Sequence, residues 1–142
     1  MPLADHDHNV LAWQVHDVIR ADFLSTLFGP MYLCGESLTY AWARKLSPDY
    51  VDFRDCSWQC FQLSCGIAYL APGNAEEILI AIPTHGFEAR MTAGAFGIVV
   101  TSLALRSLAD VARSDLVMSR YRTLRLFANT HLEAHEIFRA ID

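Results

Sequence analysis

The stretch "MTAGAFGIVVTSLAL", Met91 to Leu105, runs for 15 residues without one charged side chain. Such a run has to be withdrawn from water, either into a bilayer or into the protein's own interior. A bilayer core takes about 20 predominantly apolar residues in helical form. Here Arg90 on one side and Arg106, Asp110 and Arg113 on the other restore charge before that length is reached. The run therefore predicts a helix from Thr92 to Arg113, about 33 Å long at 1.5 Å per residue. A compact domain of this size spans roughly 37 Å. The helix thus crosses the whole molecule as its central core element, with strands on one side and helices on the other. Gly94 and Gly97 each cost about 1 kcal/mol relative to alanine inside a helix, which predicts that a neighbouring backbone comes close at these positions.

The flanking sequence supplies the cover. Val10, Trp13, Ile19 and Phe23 recur at loose helical intervals and predict one amphipathic helix over 10–27. Phe28-Gly29-Pro30 breaks it, and Pro30 suits the first turn of a second helix running to Leu46, with Leu38, Trp42 and Leu46 on one stripe and Leu33 to Ala41 broadening it. Ser47-Pro48 stops that helix, because the residue before a proline disfavours the α region. "WQCFQL" (58–63), "IAYLA" (67–71), "ILIAI" (78–82) and "FEARM" (87–91) read as short strands joined by hairpin-length turns. Beyond the central helix, Ser114 is placed to cap a helix reaching His131, with Val117, Tyr121, Leu124 and Ala128 on one face. A last helix, "EAHEIFRAID", follows. Segregated helices and strands predict an α+β fold: a small antiparallel sheet of three to four strands packed with about four to five helices around the central apolar helix. The chain, 142 residues, reads as a single domain with a mobile tail over 1–9.

Charge narrows the functional classes. Sixteen acids against eleven bases give a net charge of −5. Residues 1–71 hold 8 acids and 4 bases, and residues 72–142 hold 8 and 7. This is no basic footprint for nucleic acid. It also falls well short of a DNA mimic, which needs a dense acidic surface approaching one charge per few ångströms. The N-terminal "MPLADHDHNV" is acidic and lacks the apolar core of a secretory signal. Cys34, Cys56, Cys60 and Cys65 match no paired zinc spacing and read as small apolar residues of a reducing compartment.

Candidate chemistry is sparse. Asp5 to His8 form a weak chelating tract that reads as a solvated tail. His131 and His135 lie one turn apart in "HLEAHE", but Leu132 stands where a zinc peptidase helix needs glutamate, and no third ligand is evident. No metal or cofactor site is assigned. Arg120, Arg122 and Arg125, with Arg113 before them, give the penultimate helix a basic side suited to phosphates or an acidic partner, or simply to water. Glu36 lies within an apolar helix and Glu88, beside Arg90, on the strand leading into the central one. A carboxylate in such surroundings can serve as acid or base, or be paired. No catalytic triad order, phosphate-binding loop or nucleotide fingerprint occurs, so no catalytic residue is assigned. Interaction candidates are Glu36, Glu88, Arg120, Arg122 and Arg125.

"FGPMYLCGESLTYAWARKLSPDY", "FQLSCGIAYLAP", "GFEARMTAGAFGIVVTSLAL" and "YRTLRLFANTHLEAHEIFRAID" together, in order and spacing, resemble the ArdB/KlcA antirestriction family from about Phe28 onward. The resemblance implies a cytoplasmic protein of plasmids and other mobile elements. It would protect incoming DNA from Type I restriction-modification enzymes without mimicking DNA, its partner being the Type I endonuclease complex, reached directly or indirectly. Relatives often read "GFEGEMSADAAGI" where this chain has "GFEARMTAGAFGI". Glu88 is kept, whereas Arg90 and Gly94 stand in place of acids. The segment "VDFRDCSW" also lacks the glycine pair often found before its tryptophan. The alternative reading is a nucleic-acid-associated module using the basic helix. A hydrolase built on Glu36 or the histidines is a third.

Overall fold

The computed structural model describes residues 2–4, 11–15, 20–47, 58–63, 68–73, 77–82, 84 and 86–142, with side chains described from residue 22 onward. Strands β1 (Pro2–Ala4) and β2 (Leu11–Val15) open the chain. Helix α1 (Arg20–Phe28), a 3₁₀ turn (Gly29–Met31) and helix α2 (Tyr32–Leu46) follow. Next come strands β3 (Trp58–Leu63), β4 (Ala68–Pro72), β5 (Glu77–Ile82) and β6 (Phe87–Thr92), then helices α3 (Ala93–Ala112), α4 (Asp115–Ala128) and α5 (Ala134–Ile141). The α+β class stands, but the strands divide between two antiparallel sheets: a four-stranded one in the order β1-β2-β3-β4, and the β5-β6 hairpin.

Helix α3 is the centre. It starts at Thr92, whose hydroxyl accepts the Ala95 N–H. Ala95 through Leu105 are buried without interruption. Every layer of the fold touches the helix: α2, α4 and α5 from the helical side, β4, β5 and β6 from the strands. By length and composition this is the one described helix able to cross a membrane, yet 72% of its most apolar window is buried inside the protein. The chain's own elements therefore satisfy the demand that the uncharged run creates. The helix ends on Arg113, which takes a left-handed φ of 50° without being glycine. That conformation costs an L-residue on the order of 1 kcal/mol.

The seam between α3 and β4 explains one of the two helical glycines. A methyl group on Gly97 would lie 2.3 Å from the Leu70 carbonyl oxygen and 2.6 Å from the Ala71 Cβ, so glycine is required there. Gly94 has open space at the same distance, so the expected close approach is confined to Gly97. One turn along α3, the Thr101 hydroxyl accepts the Leu70 N–H (3.0 Å) and donates to the Leu70 carbonyl (3.3 Å). Among the described residues strand β4 pairs only with β3, through Cys60↔Leu70 and its neighbours, and is an edge strand. Thr101 satisfies the polar groups of Leu70, which would otherwise be buried without partners. All five β4 residues are buried. Tyr69 stacks between Phe61 (5.3 Å) across the sheet and Phe127 (6.3 Å) of α4.

Three expectations are corrected. The stretch over 10–27 is not one helix: Leu11–Val15 form β2, paired with β3 through Ala12↔Leu63 to Val15↔Cys60, and α1 begins only at Arg20. Helix α2 turns a different stripe inward than the one its large residues outline. Gly35, Thr39, Ala43 and Leu46 are buried, Leu38 and Trp42 are half-buried, and Leu33 is 65% exposed. Small residues let α2 lie close to its neighbours, and a methyl on Gly35 would meet the Phe28 ring at 2.3 Å. Lastly, α4 stops at Ala128 rather than His131. Pro2–Ala4, part of the expected tail, pair with β2. The Asp5–His8 tract, Cys56, Cys65 and the "VDFRDCS" segment lie outside the described residues.

Candidate functional site

Helix α4 is positioned by its cap and by a buried stripe. The Ser114 hydroxyl accepts the Val117 N–H at 3.2 Å, as the sequence predicts. Val117, Leu124, Phe127 and Ala128 face the core. This orientation leaves the three arginines toward the edges and outer side of the helix, where they meet different fates. Arg120 donates from Nε to the Thr26 carbonyl (3.2 Å), tying α4 to α1. Arg125 makes a two-pronged pair with Asp142, Nη1 to Oδ1 and Nη2 to Oδ2, both 2.9 Å. Its guanidinium also lies 4.8 Å from the centre of the Phe138 ring. The hydrogen bond from Arg125 holds the Asp142 carboxyl below the usual aspartate range, and the same bond raises the guanidinium of Arg125. Arg122 points outward and is exposed.

Between α4 and α5 lies an open groove of about 550 Å³ lined by Arg122, Arg125, Leu126, Asn129 and Phe138. Leu126 is 72% exposed, as is Leu132 in the turn between the two helices. The face therefore combines one outward cation, an ion pair, an aromatic edge and uncovered leucine. That mixture suits recognition of a macromolecular surface: a large apolar side chain left in water becomes useful when a partner covers it.

The other candidates are placed elsewhere. Glu36 is half-buried on α2 and accepts a hydrogen bond from the Tyr40 hydroxyl one turn on (2.9 Å), while Tyr40 packs 5.0 Å from Trp58. Glu88 is exposed on β6, opposite Ala81. Of the five, the structure brings Arg122 and Arg125 into one groove; Arg120, Glu36 and Glu88 occupy separate positions.

The histidine pair does not share a helix turn. His135 is exposed on α5, whereas His131 lies before that helix begins, and its Nδ1 accepts the Glu133 N–H at 3.0 Å. Among the described residues no group of three His, Cys, Asp or Glu is placed to hold a metal. Glu133 has another role that the sequence conceals. Its carboxylate accepts both the backbone N–H of Thr92 (2.9 Å) and the Thr92 hydroxyl. A carboxylate is thereby fixed at the amino end of α3, where the helix dipole favours negative charge. The two residues are 41 positions apart, so no local pattern announces the contact.

Comparison with known proteins gives one consistent answer. A family described as "Antirestriction protein" matches residues 51–142. The antirestriction protein KlcA of Escherichia coli is 43% identical over 141 residues, covering 96% of this chain and 97% of that protein. A second E. coli KlcA is 36% identical over 140 residues, covering 94% of each. Among solved structures, one matches with a TM-score of 0.82 at 39% identity, over 99% of this chain and 100% of that one. It comes from work on KlcA and ArdB that describes a novel fold and antirestriction activity against Type I DNA restriction systems in vivo but not in vitro.

Proposed function

This chain belongs to the antirestriction protein family, and we propose that it protects incoming plasmid or phage DNA in the bacterial cytoplasm by interfering with Type I restriction-modification enzymes, without catalysis and without imitating DNA. The observation that carries the reading is likeness along almost the whole chain to KlcA and to a solved relative active against Type I systems. Charge supports the last clause. A net −5 is modest, the candidate acids Glu36 and Glu88 sit on different elements, and Asp142 is neutralised by Arg125. Imitating a duplex requires an acidic surface with the charge density of the phosphate backbone.

The relative's activity in vivo but not in vitro favours a mechanism that needs a cellular constituent beyond the isolated endonuclease. The α4–α5 face is our candidate contact surface: Arg122 and Leu126 reach the partner, while Arg120 and Arg125 hold that surface to α1 and to the end of α5. The runner-up, a nucleic-acid module using basic α4, is favoured by the outward position of Arg122. It is disfavoured because Arg120 and Arg125 are already engaged within the protein.

The test is expression in a host carrying a Type I enzyme. Unmodified phage should plate with higher efficiency than on an empty-vector control, with no change in a host lacking the enzyme. Unchanged plating in the presence of soluble protein refutes the reading. Arg122→Glu and Leu126→Ser should each reduce protection without reducing protein level if the α4–α5 face makes the contact. DNA binding that weakens steeply with salt would shift the case to the nucleic-acid module.

A further inference from the structure

A second cavity lies on a different side of the core, where α2, β5, α3 and the end of α5 meet. It encloses about 350 Å³ and is partly open to solvent, a volume at the lower end of the roughly 300–1,000 Å³ typical of small-molecule sites. Its walls are mainly apolar, with Trp42, Ile82 and Leu103 among them. The polar groups that reach it are few and mostly of one sign. Lys45 holds its ammonium 4.7 Å from the centre of the Trp42 ring. Arg106, half-buried, donates from Nη1 to the Ile141 carbonyl at 3.1 Å and keeps its other N–H groups. The Trp42 indole N–H donates to the Ser107 hydroxyl at 3.2 Å, which fixes the plane of the ring. Asp142 also lines the cavity; both its carboxylate oxygens are hydrogen-bonded by Arg125, and the charge of Arg106 acts on it from farther away. Neither Lys45 nor Arg106 is ion-paired among the described residues.

Two cations on an apolar wall, in a chain of net charge −5, define by chemistry what the cavity would accept. An apolar body would fill the space beside Trp42, Ile82 and Leu103, and an anionic group would meet Lys45 and Arg106. Arginine and lysine at the rim of a low-dielectric cavity attract an anion more strongly than in water. We propose that this cavity is a binding site for a small organic carboxylate carrying an aromatic ring or a branched aliphatic body. Because Arg106 also holds the Ile141 carbonyl, an occupant bound there steadies the docking of α5 on α3.

The site is independent of the antirestriction reading, and its test needs no restriction assay. Benzoate is titrated into the full chain, followed by calorimetry and by the indole N–H resonance of Trp42. Benzyl alcohol supplies the ring without the charge, and acetate the charge without the ring. Saturable benzoate binding, about tenfold tighter than either control, is expected. Lys45→Met, at an exposed position, should weaken it by about tenfold, the worth of one charge-assisted hydrogen bond. Ala81→Leu, which fills the cavity from β5, should abolish it while the circular dichroism spectrum is kept. The proposal is overturned if benzoate moves no resonance at millimolar concentration, if either control binds as tightly, or if binding survives unchanged in both variants.

Discussion

The α3–β4 seam and the α4–α5 face lie within one small domain, yet they obey opposite rules. In the seam, a backbone carbonyl stands where any side chain on Gly97 would go, and Thr101 uses its hydroxyl twice on one residue of the neighbouring strand. On the α4–α5 face, Leu126 stands in solvent and Arg122 is uncommitted to another element, with Arg125 held at the rim by Asp142. Interiors are close-packed and respond to a single methyl group, whereas surface positions tolerate replacement. The difference separates what this chain needs in order to fold from what it offers to a partner. The uncharged helix supplies the frame; the proposed recognition falls to the outer face.

The sharpest way to break this contrast is Gly97→Ala. The added methyl meets Leu70 and Ala71 in the rigid strand, and overpacking of this kind costs typically 1–3 kcal/mol. Set against the gain of about 1 kcal/mol from alanine's better helix propensity, a net loss of about 2 kcal/mol is expected in urea unfolding. The same change at Gly94, with open space around it, should instead stabilise the protein by up to about 1 kcal/mol. Equal effects at the two glycines would show that the seam is not as tight as described.

Thr101→Val comes next. It keeps the volume and removes the hydroxyl, leaving the Leu70 N–H and carbonyl without their partner. A loss of about 2 kcal/mol is expected, with faster hydrogen exchange at the Leu70 amide as the specific signature. If that amide stays protected, Thr101 is not what closes the strand edge.

On the outer face the effects should be smaller. The Asp142 carboxyl is held below its ordinary value of 3.8 by Arg125. Its contribution is therefore complete above that value and is lost as pH falls through the lower, folded-state value. Both partners are well exposed, so the pair is worth at most about 1 kcal/mol after solvent screening. Asp142→Asn should lower the melting temperature slightly at neutral pH and by progressively less as pH falls through the folded-state value. A variant whose deficit does not shrink on acidification below 3.8 would contradict the assignment. Leu126→Ser should change stability by less than about 0.5 kcal/mol while lowering protection against restriction. A large loss of stability would place Leu126 in the frame.

What the sequence made legible follows the range of the forces involved. The central helix could be read because 15 uncharged residues in a row leave little choice of environment. The Ser114 cap could be read because its partner, Val117, is three residues away. Strand β2 could not. Leu11–Val15 are apolar enough for either period, and what makes them a strand is pairing with Cys60–Leu63, some 45 to 51 positions onward. The arginines of α4 show the same limit. Helix geometry brings Arg122 and Arg125 to neighbouring positions and turns Arg120 away from them, but Thr26, which takes Arg120, is 94 residues away, and Asp142, which takes Arg125, belongs to another element. The groove between α4 and α5, like the cavity beside Trp42, exists only once elements distant in sequence have docked.

The Thr101 contact reaches beyond the stability of one molecule. By occupying both the N–H and the carbonyl of Leu70, it removes a central rung from the docking rail that a strand of another copy would need on the outer side of β4. A chain that is more than half apolar by composition has much to lose from self-polymerisation. One hydroxyl on the buried helix blocks that route.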